Sequence, residues 1–304
     1  MKQKTIGSSF VLEGKGLHTG LDLKLKACPA PANHGIKIKR TDLPGVTLID
    51  ALAEKVSNTV RGTVLKEGDV VVSTIEHALA VFYAMGIDNC LFEVDGPEFP
   101  ILDGSSIRFM EQVEAVGIVE QEADKDFLFI DKRIEYHNET DSWIVAEPSD
   151  RMELIVEIGF RSPVLKAQKA KLKDMSLFPT EIAGARTFVF VREIEPLINM
   201  NLIKGGDLKN AIVIYDQLIS QEAIDSLTEK LHQPRMDAST LGYLSGPLKF
   251  DNEPARHKLL DLIGDLALIG KPLKGRITAH FPGHKINTEF AKLLRDKYIL
   301  NNER

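Results

Sequence analysis

Cysteine is scarce in this chain: Cys28 and Cys90 are the only two among 304 residues, and neither belongs to a CxxC pair. A four-thiolate zinc site and a disulfide-stapled scaffold are excluded, and the count fits a reducing compartment. Long apolar runs are missing too. Stretches such as Ala78 to Ile87 fall well short of the roughly 20 residues of a membrane span. The basic start, Met1-Lys2-Gln3-Lys4-Thr5, has no apolar core behind it, so no secretory signal is expected. Nor does one sign of charge dominate. Thirty-eight basic residues against 44 acidic ones leave a net charge of −6. That balance gives no general grip on nucleic acid or an anionic membrane, so a phosphate-bearing partner would need a local basic cluster. What is present is ordinary: 43% hydrophobic and 27% charged residues describe a folded globular protein. A cytoplasmic monomer with no transmembrane segment and no nucleic-acid partner is the expectation.

Strand patterns occupy residues 5 to 12 and 21 to 27, the second alternating strictly. Between them Gly14, Gly16 and Gly20 frame a loop that carries His18. A strand follows at 35 to 39. A helix is predicted over 74 to 86, with Ser73 or Thr74 as N-cap and Gly86 as its stop. Another strand covers 89 to 94, and a second helix covers 105 to 116. The polar run Glu120 to Asp126 reads as a linker. After it four strands come in succession, at 127–130, 134–136, 142–147 and 153–158. Helical patterns lie only later, at 179–186, 219–230, 253–269 and 287–296. Strands first and helices afterwards, twice over, predict an α+β protein with a sheet on helices in each of two domains. The boundaries would be 1–121 and 127–304, with 122–126 between them. No sequence repeat accompanies this ordering.

Eight histidines are few enough to weigh singly. His137 and Asp141 share a polar turn, which reads as a solvated hairpin tip. His280 and His284 flank Pro282 and Gly283, which break any common helical face. His257 and Asp261 differ, because their i,i+4 spacing in a strongly periodic helix puts imidazole and carboxylate on one face. Such a pair can chelate an ion, though a helix surface with ordinary ion pairs carries the same spacing. Glu76-His77 suits a metal ligand beside a general base, or equally a partly exposed helix start. HExxH is absent, and Ser73 stands where an inverted zincin motif needs histidine. Gly14 to Gly20 and Lys204-Gly205-Gly206 only superficially suggest phosphate loops and read as close-packing glycines.

Together these segments resemble the zinc-dependent UDP-3-O-acyl-N-acetylglucosamine deacetylase family of lipid A biosynthesis. The matching runs are Gly16 to Gly20, Ser73-Thr74-Ile75-Glu76-His77, Asp88-Asn89 and Pro100 to Ser105. They continue with Ala185-Arg186-Thr187-Phe188, Gly205-Gly206, Asn210 to Val213, Arg256 through Asp261 to Asp265, and Gly283-His284 with Asn287. They keep the family's order over nearly the whole chain. The resemblance implies two similar domains, each a two-layer sandwich, with inserted subdomains and a site between them. It implies Zn2+ held by His77, His257 and Asp261, with Glu76 as general base. It further implies Thr187 as oxyanion donor, His284 as cationic partner oriented by Asp265, and Lys258 contacting substrate. An insertion near 188–213 would pass the acyl chain, with Phe188, Ile194, Gly206, Ala211, Val213 and His18 at the substrate. Read without the family, the apolar members of that set are equally core residues. The substrate would be UDP-3-O-acyl-N-acetylglucosamine. Alternatives in other classes are a non-catalytic sugar-nucleotide binding protein and a structural zinc clamp. Two departures stand out. Residues 217 to 252 are longer than the family pattern, and Phe281 occupies a commonly basic position.

Overall fold

The computed structural model describes residues 1–230 and 234–300. Two mixed sheets follow one plan. The first runs, in spatial order, Phe10–Lys15, Asp22–Pro29, Cys90–Val94, Ile36–Arg40 and Leu48–Asp50. The second runs Ile134–His137, Trp143–Glu147, Leu273–His280, Met152–Ile158 and Gln168–Leu172, with Leu128–Phe129 added alongside Leu273–His280. In each, a late strand slots into the middle of four earlier ones. It lies antiparallel to the second of them and parallel to the third.

Among the described residues the α-helices are α1 (Glu76–Ala84), α2 (Ile107–Val116), α3 (Phe178–Glu181), α4 (Val191–Asn199), α5 (Gln221–Lys230), α6 (Glu253–Leu266) and α7 (His284–Arg295). In the first half α1 precedes and α2 follows the late strand, and α6 and α7 do the same in the second. Each half also carries an insertion ahead of its first layer helix. The first insertion is a small sheet of Val56–Asn58, Val64–Glu67 and Val70–Val72. The second is a sheet of Phe188–Phe190, Ile212–Tyr215 and Gly242–Tyr243, with α4 and α5. The molecule is thus two similar α+β domains with inserted subdomains. No described helix is long and apolar enough to cross a membrane.

Strand alternation supplies the sheet faces: Leu23, Leu25 and Ala27 point inward from one strand, and Met152, Leu154, Val156 and Ile158 from another. The layer helices differ from surface helices. Every residue from Glu76 to Phe82 is buried, as is nearly all of α6, because each helix is covered by a sheet and by the other helix. They cross at Gly264, where a Cβ would stand 2.1 Å from the Glu76 carbonyl oxygen. An alanine ordinarily steadies a helix interior relative to glycine. Here Gly264→Ala should instead destabilise the fold by about 1–3 kcal/mol through overpacking. It should also lower activity, since the displaced backbone carries Glu76 and His77; a denaturant melt alongside an assay checks both.

Several expectations are corrected in detail. Ile75, not Ser73 or Thr74, holds the N-cap position of α1 and no side chain caps it. Thr74 sits in the left-handed region (φ 58°) and donates its hydroxyl to the buried Glu98 carboxylate, a stronger acceptor than any helix end. Most of the polar run Glu120 to Asp126 is strand: Ile118–Asp124 pairs antiparallel with Lys2–Ile6. Its charged side chains suit an exposed two-stranded ribbon. The helix expected over 179–186 shrinks to α3. The longer segment 217–252 contains α5 and the strand Gly242–Tyr243 of the second insertion, and its residues 231–233 lie outside the described residues.

Candidate active site

The first turn of α1 faces the middle of α6. This brings His77 to His257 and Asp261, with one ligand atom from each within 4.8 Å of the others. Asp261 Oδ1 lies 3.7 Å from His77 Nε2 and 3.4 Å from His257 Nε2. A tetrahedral metal with bonds near 2.0–2.1 Å holds its ligand atoms ~3.3 Å apart, and both Asp261 contacts already lie close to that spacing. His257 Nδ1 donates to the Ala185 carbonyl (3.0 Å), which leaves the Nε2 lone pair free. Lys258 Nζ donates to Asp261 Oδ2 at 2.9 Å. Asp261 Oδ1 is buried without a hydrogen-bond partner among the described residues. A buried carboxylate oxygen left open between two imidazoles asks for a cation.

Protonation states agree with that reading. Burial, reinforced by His257, pushes His77 down to about 3. Burial likewise lowers His257. Burial alone would raise Asp261, but His257, Lys258 and His284 outweigh it and hold the carboxyl below the usual range. Neutral imidazoles and an ionised carboxylate are the forms that bind metals.

Beside this cluster stand a carboxyl and an imidazole that both hold their protons more tightly than usual. Burial pushes Glu76 up to about 7, with Asp265 and Asp261 adding to it and His284 opposing. Burial alone would depress His284, yet Asp265, Asp261 and Glu76 raise it to about 9. His284 Nδ1 donates to Asp265 Oδ2 at 3.0 Å, and its Nε2 lies 3.8 Å from Glu76 Oε1. A raised acid next to a stabilised imidazolium is how environments separate base and acid roles. Asp265 stands behind His284, also accepting from Asn287 Nδ2 (2.9 Å). A cavity of about 400 Å3 is lined by Glu76, His77, Thr187, Lys258, Asp261 and His284. Thr187 is held by its backbone, donating to Gly104 O (2.8 Å) and accepting from Ile212 N (2.7 Å).

A second cavity, of about 650 Å3, shares Leu17, Arg61, Thr187 and Phe188 with the first. His18, Phe188, Ile194, Gly206, Ala211 and Val213 all line it, joined by Leu197, Ile203 and Leu208. So the apolar residues of the second insertion form a wall as well as a core. Burial lowers the pKa of His18. The two glycine runs meet here: Gly205 N donates to Leu17 O at 3.0 Å, and a Cβ on Gly205 would be 2.2 Å from Gly16 O. Their glycines serve this contact.

Two contributors, Glu98 and Thr63, were not singled out by the sequence, and Asn287, matched only as part of a family run, gains its role here. Glu98 lies in the turn Pro97 to Pro100, fully buried. Its carboxylate accepts from His18 N, Thr19 N, Thr19 Oγ1 and Thr74 Oγ1, which pins the loop carrying His18 to the entry of α1. Thr63 and Asn287 hold Asp265. Phe281 packs against His280 at a ring separation of 3.9 Å and presents no cation.

Fold and site together describe a hydrolase-type centre: a His–His–Asp cluster able to hold a metal ion, an acid–base pair, and an apolar chamber alongside. Residues 3–232 and 236–296 match the family model "LpxC: UDP-3-O-acyl N-acetylglycosamine deacetylase", and the chain belongs to that family. It is 38% identical over 305 residues to the UDP-3-O-acyl-N-acetylglucosamine deacetylase of Helicobacter hepaticus, covering 100% of this chain and 92% of that one. The enzyme of the same name from Myxococcus xanthus is 37% identical over 95% of this chain and 85% of its own. The "Bifunctional enzyme LpxC/FabZ" of Porphyromonas gingivalis is 54% identical over 99% of this chain; the chain spans only 66% of that relative's length.

Proposed function

We propose that this chain is a zinc-dependent amide hydrolase of the cytoplasm. It removes the N-acetyl group of UDP-3-O-acyl-N-acetylglucosamine in lipid A biosynthesis, releasing acetate and the free amine. The observation that carries this reading is the Glu76–His284 pair, 3.8 Å apart and lining one cavity with the His77–His257–Asp261 cluster. A mere binding protein has no use for such a pair. The catalytic groups come from both domains, which we divide at 1–121 and 127–304 with 122–126 crossing between them.

Zinc would be held by His77, His257 and Asp261, and when bound it would supply Lewis acidity to the acetamide carbonyl and to water. The protein groups do the rest. Glu76 accepts a proton from the attacking water and later returns one to the leaving amine. The His284 imidazolium, aimed by Asp265, faces the developing oxyanion, and the Thr187 hydroxyl donates to the same charge. Each such donor is worth ~3 kcal/mol. Lys258, whose ammonium lies 5.4 Å from the Phe188 ring centre, contacts the substrate at the junction of the two cavities. Incubation with the acylated sugar nucleotide and assay for free amine tests the activity directly; no amine release sinks it.

The larger cavity takes the acyl chain. Each methylene buried there adds up to ~0.8 kcal/mol, so deleting the chain should cut kcat/KM by several orders of magnitude. Bulky substitution of Ala211 should penalise long chains more than short ones. Equal kcat/KM for acylated and unacylated substrates would return those residues to an ordinary core role.

A further inference from the structure

We propose that Thr63 is a positioning residue that locks the base and the acid of this site into one frame, a role that rests on the deacetylase reading above. Thr63 is fully buried and stands at the end of the loop entering Val64–Glu67, in the first-half insertion. Its backbone N–H donates to Glu76 Oε2 at 3.2 Å. Its hydroxyl donates to Asp265 Oδ1 at 2.5 Å, and the same oxygen lies 3.4 Å from His284 Nδ1. One residue therefore grips the base through its main chain and the partner of the acid through its side chain.

Each contact assigns one oxygen of a carboxylate and leaves the other for chemistry. Thr63 N–H occupies Glu76 Oε2, so Oε1 is the oxygen that faces His284. Gly62 keeps that oxygen clear, since a Cβ there would come within 3.2 Å of it. The Thr63 hydroxyl occupies Asp265 Oδ1, so Oδ2 is held toward His284 and Asn287. Without the hydroxyl, Oδ1 would be a buried carboxylate oxygen lacking its donor. The group would rotate to recover one, and the His284 ring would lose its aim. The loop itself is anchored. Arg61, in the left-handed region at φ 63°, accepts from His18 Nε2 through its carbonyl (3.3 Å) and pairs with Glu193 of α4 at 2.8 Å. The first insertion thereby reaches the reacting groups of both domains through Thr63.

Thr63→Val is the deciding variant, because it keeps the shape and the N–H to Glu76 and removes only the hydroxyl. We expect kcat to fall roughly 10- to 100-fold, the size of a lost hydrogen bond to a charged group. KM and bound metal should stay within about twofold of the parent, and Thr63→Ser should recover most of the loss. The downfield proton resonance of the His284 imidazole should move in Thr63→Val and return in Thr63→Ser. In an Asp265→Asn background, Thr63→Val should cost little more, since the two act through one contact. If valine will not fold, Thr63→Ala is carried through the same measurements. An unchanged kcat per folded molecule, equal losses in valine and serine variants, or full additivity with Asp265→Asn overturns the proposal. If Glu76→Gln retains full activity, the deacetylase mechanism itself fails. If Glu76→Gln is inactive while Thr63→Val is normal, only the role of Thr63 fails.

Discussion

Stripping the enzyme with a strong chelator should take amine release to the detection limit, and substoichiometric zinc should bring it back. The reason lies in the donor set. His77 and His257 are buried and held neutral, and Asp261 Oδ1 has no hydrogen-bond partner among the described residues. His284 and Thr187 can steady the oxyanion once it forms, but a metal held by this donor set would supply the Lewis acidity that activates water and the acetamide carbonyl together. His257→Ala should lose metal affinity while the sheets and the α1–α6 crossing persist, because its neighbours Leu259, Leu260 and Leu262 remain packed. Metal analysis and a melt on the same preparation separate the two effects. Full activity of a demonstrably metal-free preparation would sink the zinc mechanism.

The other large effect belongs to Glu76. Glu76→Gln should lower kcat by about 10²–10⁴-fold, the usual worth of a positioned general base, with bound metal unchanged. The pH profile of kcat/KM should be a bell. Its acidic limb reports loss of the Glu76 proton. Burial places that carboxyl up at about 7, and a nearby cation would draw the limb downward from there. Its basic limb reports deprotonation of His284, raised to about 9 by Asp265, Asp261 and Glu76 against the pull of burial. Removing the leading negative partner lets the imidazolium release its proton more easily, so Asp265→Asn should shift the basic limb to lower pH. His284→Ala should lower the rate and abolish that limb. A basic limb that stays put in both variants means that another group titrates there.

Much of this could be read from local pattern. Alternation in Asp22–Pro29 and Met152–Ile158 marks strands because one face of each is buried and the chain repeats every two residues. The i,i+4 spacing of His257 and Asp261 places both on one helical face wherever that helix goes. Contacts between distant segments are a different matter. The late strand Leu273–His280 alternates Leu273, Gly275, Ile277 and Ala279 inward, but two glycine or alanine positions and the intervening charges mute the pattern. The two halves share a strand order and helix placement without a shared sequence. A sheet on a helix asks only for apolar residues at the right period, and many sequences meet that demand.

What folding alone could decide was proximity across long separations. His77 meets His257 and Asp261 because Gly264 lets α1 and α6 approach at the Glu76 carbonyl, a clearance no single segment announces. Thr63 reaches Asp265 across 202 residues. Phe188, Ala211 and Val213 fit a core or a chamber equally well by composition, and only the space left between the second insertion and the loop at Leu17 and His18 separates the two. Local periodicity constrains which face a side chain occupies. What that face meets is set by packing between elements, where a clearance of an ångström or two determines whether groups react or merely fill space.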